Sequence, residues 1–126
     1  MAAKMVTAGQ LAADALTELG VDQVFFLAGG HTYPLQEGLK NNGIRMLATR
    51  HEQAAVFMAE AWGRMTRKPG IAMVTAGPGF TNALTPIANA RMANSPLLLI
   101  AGVVGLGACE KLDLQDMIQW PVITPW

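Results

Sequence analysis

The sequence holds one cysteine, Cys109, few charges and no excess of either sign. A single thiol excludes an internal disulfide and suits a reducing cytoplasm. Cys109 itself reads as a small buried or loop residue rather than a reactive group. Nine basic side chains balance nine acidic ones, which leaves no field for drawing in nucleic acid or an anionic membrane. The opening "MAAKMVTAGQ" lacks the apolar core of a secretory signal. The longest apolar run, "PLLLIAGVVGLGAC", is broken by glycines and too short to span a bilayer. Repeats, linkers and low-complexity tracts are absent. So are a Walker A loop, a G-x-S-x-G elbow and a Ser–His–acid set. His31, His51 and Cys109 lack the spacing of a zinc site, and no metal ligand is assigned in this chain.

What the chain does have is apolar surface in excess. Hydrophobic residues make up 52% and charged residues 14%, a balance that calls for cover by another chain or domain. Its 126 residues are enough for one domain with a real core. Thr7 is placed to cap a helix with Leu11, Ala12, Ala15, Leu16 and Leu19 on one face, stopped by Gly20. "QVFFLAG" reads as a buried strand, and Pro34 opens a second helix that ends at "NNG". "IRMLAT", "GIAMVTAG" and "PLLLIAGV" read as further strands. The helix from about Glu52 carries Ala54, Met58, Ala61 and Met65 on one stripe, and "FTNALTPIANARMA" forms another helix. Pro86 inside that last pattern kinks it or marks its effective start. Helices alternating with apolar strands predict an α/β fold, a parallel sheet with helices on both faces. Ligands collect at the carboxyl ends of such strands, and those ends carry "AGGHTY", "ATRHE" and "TAGPGFTN".

Taken as bare residues, these segments leave their roles open. In "TAGPGFTN" two glycines allow close backbone approach, and Thr81 or Asn82 can cap the next helix; a tight turn and a ligand loop fit equally well. Thr49-Arg50-His51-Glu52 matches a capping box, which favours a cap role for Glu52 on spacing alone. A buried carboxylate at a strand end can also hold a proton against a ring nitrogen. His31, after two glycines, is either a solvated turn residue or an imidazole facing substrate.

"TRHEQAAVFMAEAWGRMTRKPGIAMVTAGPGFTNALTPIANA" closely resembles the pyrimidine-binding domain of thiamine-diphosphate-dependent enzymes, within their acetolactate synthase-like group. Benzaldehyde lyase and the 2-hydroxyacyl-CoA lyases belong to that group, and the resemblance extends from "TAGQLAADALTELG" to "LQDMIQWPVITPW". It implies that Glu52 contacts N1′ of the aminopyrimidine and activates the cofactor. It further implies a cofactor-binding surface of Gly29, Thr75, Gly77, Pro78, Gly79 and Asn82, with Glu52 among them. "AGGH" resembles the loop that bears a proton-shuttling histidine, which makes His31 a catalytic candidate. "LQD" resembles a Leu-Gln or Phe-Gln pair near the small carbonyl substrate in that group, which makes Gln115 a further catalytic candidate. The implied activity is cleavage or carboligation of 2-keto acids or 2-hydroxy ketones; the alternative is a non-catalytic binding or dimerisation module on the same scaffold.

The departure from the family concerns completeness. No Gly-Asp-Gly occurs in the chain, so the domain that holds the diphosphate and Mg²⁺ is expected elsewhere, in the same or another chain. Residues 1–126 are expected to be one N-terminal pyrimidine-binding domain, truncated at its C-terminal end. Such a domain is expected in homo-oligomers and inactive alone.

Overall fold

A computed structural model of the chain describes residues 5–124. Thr7 caps the first helix, α1 (Ala8–Glu18), its hydroxyl accepting the Gln10 N–H at 3.1 Å. The wholly buried strand β1 (Gln23–Phe26) leads through a 3₁₀ turn, Gly30–Thr32, into α2 (Tyr33–Asn41). Pro34 sits in the first turn of α2, where no helical partner waits for the N–H it lacks. Then come β2 (Arg45–Ala48), α3 (Glu52–Thr66) and β3 (Gly70–Val74). They are followed by α4 (Pro78–Asn82), α5 (Leu84–Met92) and β4 (Leu97–Ala101). A turn-rich segment ends in one short helix, α6 (Trp120–Ile123).

The four strands are all parallel, in the order β2-β1-β3-β4. Side chains alternate across the sheet and divide the core in two. Val24, Phe26, Ile71 and Met73 pack with Leu16, Leu35, Leu39 and Ile44 beneath α1 and α2. Phe25, Ala72 and Val74 pack with Ala55, Val56, Ala59 and Ala83 beneath α3 and α5. The expected α/β architecture is therefore the one formed. Truncating a fully buried member such as Leu39 or Met73 to alanine would cost about 2–5 kcal/mol.

The helix faces differ from expectation. Of the α1 stripe only Leu16 is buried; Leu11 and Leu19 are 59% and 80% exposed, and Ala12 and Ala15 also face outward. The cause is that α1 packs mainly on α2, with Gly9 against the Pro34 carbonyl and Gly38 against Ala13. On α3 the predicted stripe Ala54, Met58, Ala61 and Met65 is exposed, and Ala55, Val56, Ala59 and Gly63 face inward. Gly70 backs directly on the Ala59 carbonyl, so the helix lies too near the sheet for a methionine to fit between them. The helix expected over "FTNALTPIANARMA" is two helices meeting at Ala83. Pro86 has no N–H to return to the Asn82 carbonyl four residues back, and the first segment ends there.

The chain crosses from β1 outward to β2 and returns past β1 to β3. The carboxyl ends of β1 and β3 thus flank a topological switch point, the place where open parallel sheets commonly receive ligands.

Candidate functional site

Glu52 stands beside that switch point as the first residue of α3, with only 7% of its surface exposed. The expected capping box does not form. The Thr49 N–H is still bonded to the Phe26 carbonyl, as an extension of the strand, so the helix cannot begin there. Its N-cap is His51, whose Nδ1 accepts the Gln53 N–H at 3.1 Å. The Glu52 carboxylate is therefore free of capping, and its Oε2 accepts from Asn82 Nδ2 at 2.9 Å. Asn82 and Thr81 cap nothing; the N-cap of α5 is Ala83, and the Thr81 hydroxyl donates to the Pro78 carbonyl.

Gly79 forms the wall beside the acid. A Cβ there would lie 3.3 Å from Glu52 Oε1 and 2.6 Å from Thr75 Cγ2. Two residues earlier Gly77 adopts φ 56° and ψ −114°, a conformation open in practice only to glycine. It turns the chain sharply out of β3 into Pro78 and α4. Pro78 itself is exposed at the rim.

Thr75, directly after β3, is buried between Gly29 and Gly79, each close enough that a Cβ would strike its side chain. Its Oγ1 lies 3.3 Å from His31 Nδ1 and donates to Gln115 Oε1 at 3.1 Å. A chain of three polar side chains, His31, Thr75 and Gln115, thus runs beside the Glu52–Asn82 pair, and the two meet where Thr75 touches Gly79. Every residue proposed from the sequence, apart from the exposed Pro78, lies in this one cluster.

Gly102, at the carboxyl end of β4, was not among those residues. Its N–H donates to the Val74 carbonyl, and a Cβ there would approach His31 Cβ to 2.8 Å. The strand-end rule that singled out the other loops applies to it equally. Beyond it Phe80, Ala101, Val104, Met117 and Trp120 help to line an apolar cavity of about 460 Å³. Among the described residues no three His, Cys, Asp or Glu side chains converge as a metal site.

A second carboxylate lies two turns further along the same helix. Glu60 is 4% exposed and accepts from Asn89 Nδ2 at 3.0 and 2.8 Å and from Ser95 Oγ at 2.9 Å. Arg64 stands 3.8 Å from one oxygen.

The chain matches the family described as thiamine pyrophosphate enzyme, N-terminal TPP binding domain, over residues 6–122. It is 42% identical over 116 residues to the acetolactate synthase large subunit IlvG of Mycobacterium tuberculosis, covering 88% of this chain and 21% of that protein. To 2-hydroxyacyl-CoA lyase 2 of Danio rerio it is 44% identical over 117 residues, 93% of this chain and 19% of the relative. A probable 2-ketoarginine decarboxylase, AruI of Pseudomonas aeruginosa, shares 47% over 100 residues, 79% and 18% of the two lengths. The chain thus spans about a fifth of the length of these relatives.

Proposed function

The chain belongs to the thiamine pyrophosphate enzymes, matching their N-terminal TPP binding domain, and on that premise we propose that it is the cofactor-activating part of a lyase or carboligase, working through Glu52. The observation that carries the reading is the buried Glu52–Asn82 pair set against a glycine wall at the switch point. These residues suit a flat, nitrogen-bearing ring. Gly77 and Gly79 let Gln115 and Thr75 pack closely beside the acid, and the carboxyl group offers an oxygen to a ring nitrogen. When bound, thiamine diphosphate supplies the electron sink for a carbonyl substrate.

Glu52 would hold the proton shared with the aminopyrimidine nitrogen. Asn82 holds Oε2, which leaves Oε1 as the oxygen that would meet the ring, and burial would strengthen a bond made there. The oxygen aimed at the ligand is set before the ligand arrives, which is how preorganised groups contribute most. His31 moves a proton at the substrate oxygen, and Gln115 orients the substrate beside it. Gly29 and Thr75 complete the floor.

The substrate class is a 2-keto acid or 2-hydroxy ketone, in line with relatives named for acetolactate synthesis, 2-hydroxyacyl-CoA cleavage and 2-ketoarginine decarboxylation. The diphosphate and its Mg²⁺ are held by a separate domain, of the same or a second chain. Residues 1–126 act as one domain in a homo-oligomer of the cytoplasm, where the exposed thiol of Cys109 stays reduced.

Exchange of the C2 hydrogen of thiamine diphosphate for deuterium, followed by NMR, tests the role of Glu52. The assembly is to be purified from its source through this chain. Glu52→Gln should slow exchange on the order of 10²-fold or more while cofactor is still retained. Exchange unchanged by that substitution would leave the chain a binding module.

A further inference from the structure

The two histidines of this chain are held by opposite hydrogen bonds. His51 Nδ1 accepts from a backbone N–H, which can only donate, so neutral His51 carries its proton on Nε2. For His31 the partner is a hydroxyl, which can donate or accept. Its direction is decided one residue further on, because the Thr75 hydroxyl hydrogen is committed to the Gln115 carbonyl oxygen. Thr75 has little freedom to turn away, wedged as it is between Gly29 and Gly79.

We propose that Thr75 and Gln115 are positioning residues that set the tautomer of His31: the proton sits on Nδ1 and the lone pair on Nε2. The direction of the chain is then fixed throughout, from His31 Nδ1–H to Thr75 Oγ1 and from Thr75 Oγ1–H to Gln115 Oε1. Nε2 has no hydrogen-bond partner among the described residues and is left as the basic atom of the ring. The inference rests on the reading of His31 as the group that moves a proton at substrate. It specifies which nitrogen accepts first, and it gives Gln115 a task it performs without touching the imidazole.

The test is ¹⁵N NMR of the full chain labelled at histidine, at about pH 8.5, roughly two units above the ordinary imidazole pKa. In a neutral ring the protonated and bare nitrogens resonate far apart, and only His31 and His51 contribute. The unaltered chain should show one ring protonated at Nδ1 and the other at Nε2, with His51→Gln removing the latter. Two rings both protonated at Nε2 would overturn the proposal without need of any variant at Thr75. Thr75→Val keeps the shape but removes the hydroxyl, and should turn the His31 signals into those of a mixed population. Thr75→Ser should restore the single tautomer. Gln115→Leu frees the Thr75 hydroxyl to donate to His31 and should also mix the tautomers, whereas a merely structural glutamine would leave them unchanged. Unmoved signals in both Thr75→Val and Gln115→Leu would sink the idea. Because the readout is independent of turnover, failure of the shuttle reading is separable. An Nδ1-protonated His31 whose replacement leaves carboligation by the purified assembly intact would remove the catalytic role and retain the tautomer.

Discussion

Helix α3 carries two carboxylates, Glu52 at its first residue and Glu60 midway along it, buried to nearly the same degree yet treated differently. Glu60 is saturated: one amide spans both oxygens, a hydroxyl adds a third bond and an arginine stands close by. Glu52 accepts one amide hydrogen bond on Oε2 and faces a glycine with the other oxygen. Glu60 is served as a buried carboxylate must be if it is to tie α3 to α5 and to the turn before β4. Glu52 is left one partner short in a place where an open oxygen is useful. The difference separates a carboxylate that fastens the fold from one with an oxygen left open, and depth of burial does not make that distinction.

Substitution should pull the two apart. The largest expected effect is that of Glu52→Gln on turnover by the purified assembly, a loss on the order of 10²–10⁴-fold. The same change should move the denaturant midpoint little, by about 1 kcal/mol or less, because glutamine can still accept from Asn82. Glu60→Ala should do the reverse in the isolated chain, costing about 1–3 kcal/mol in urea unfolding as Asn89 and Ser95 lose their acceptor. A stable Glu60→Ala chain would erase the contrast. Asn82→Ala lies between them: turnover should fall about tenfold, measured as kcat, as the Glu52 carboxyl loses its orientation.

The smallest effect belongs to a third carboxylate, Asp14, which also accepts from side-chain amides, those of Gln10 and Asn42, but is only half-buried. Hydrogen bonds from Asn42 and then Gln10 lower its pKa below the ordinary 3.8. A depressed folded pKa adds stability that is present above the unfolded value and is lost as pH falls through the folded one. Asn42→Ala should therefore raise the Asp14 carboxyl titration, read by carbon NMR, and flatten the acid limb of stability just below pH 3.8.

Strand order aside, the architecture was legible because period and punctuation act locally. Buried strands read as "VFF" and "IAMV", helix starts as Thr7 and Pro34, and the strand ends collect the polar residues of interest apart from Gln115. What escaped was orientation about the helix axes. Hydrophobic stripes predict burial only where something covers them, and α3 turns mainly its small residues Ala55, Ala59 and Gly63 inward while α1 buries only Ala13 and Leu16. The capping box misled for a related reason. Thr49 has the right spacing, but the tertiary bond of its N–H to Phe26 keeps it in the strand. The neighbourhood of Glu52 with Asn82, thirty residues apart, was implied by family resemblance and by no spacing rule. The link from Thr75 to Gln115 depends on how the segment after β4 folds back, which carries no periodicity at all.

The near contact of Gly70 with the Ala59 carbonyl divides the evolutionary freedom of α3 by face. Toward the sheet, a drifting lineage can exchange only small side chains at positions 55, 59 and 63 without pushing the helix away and carrying Glu52 with it. On the opposite side, positions 54, 57, 58, 61 and 65 are free to change size, charge and partner. One helix can thus hold its chemistry still through one face while the other diversifies in what it meets.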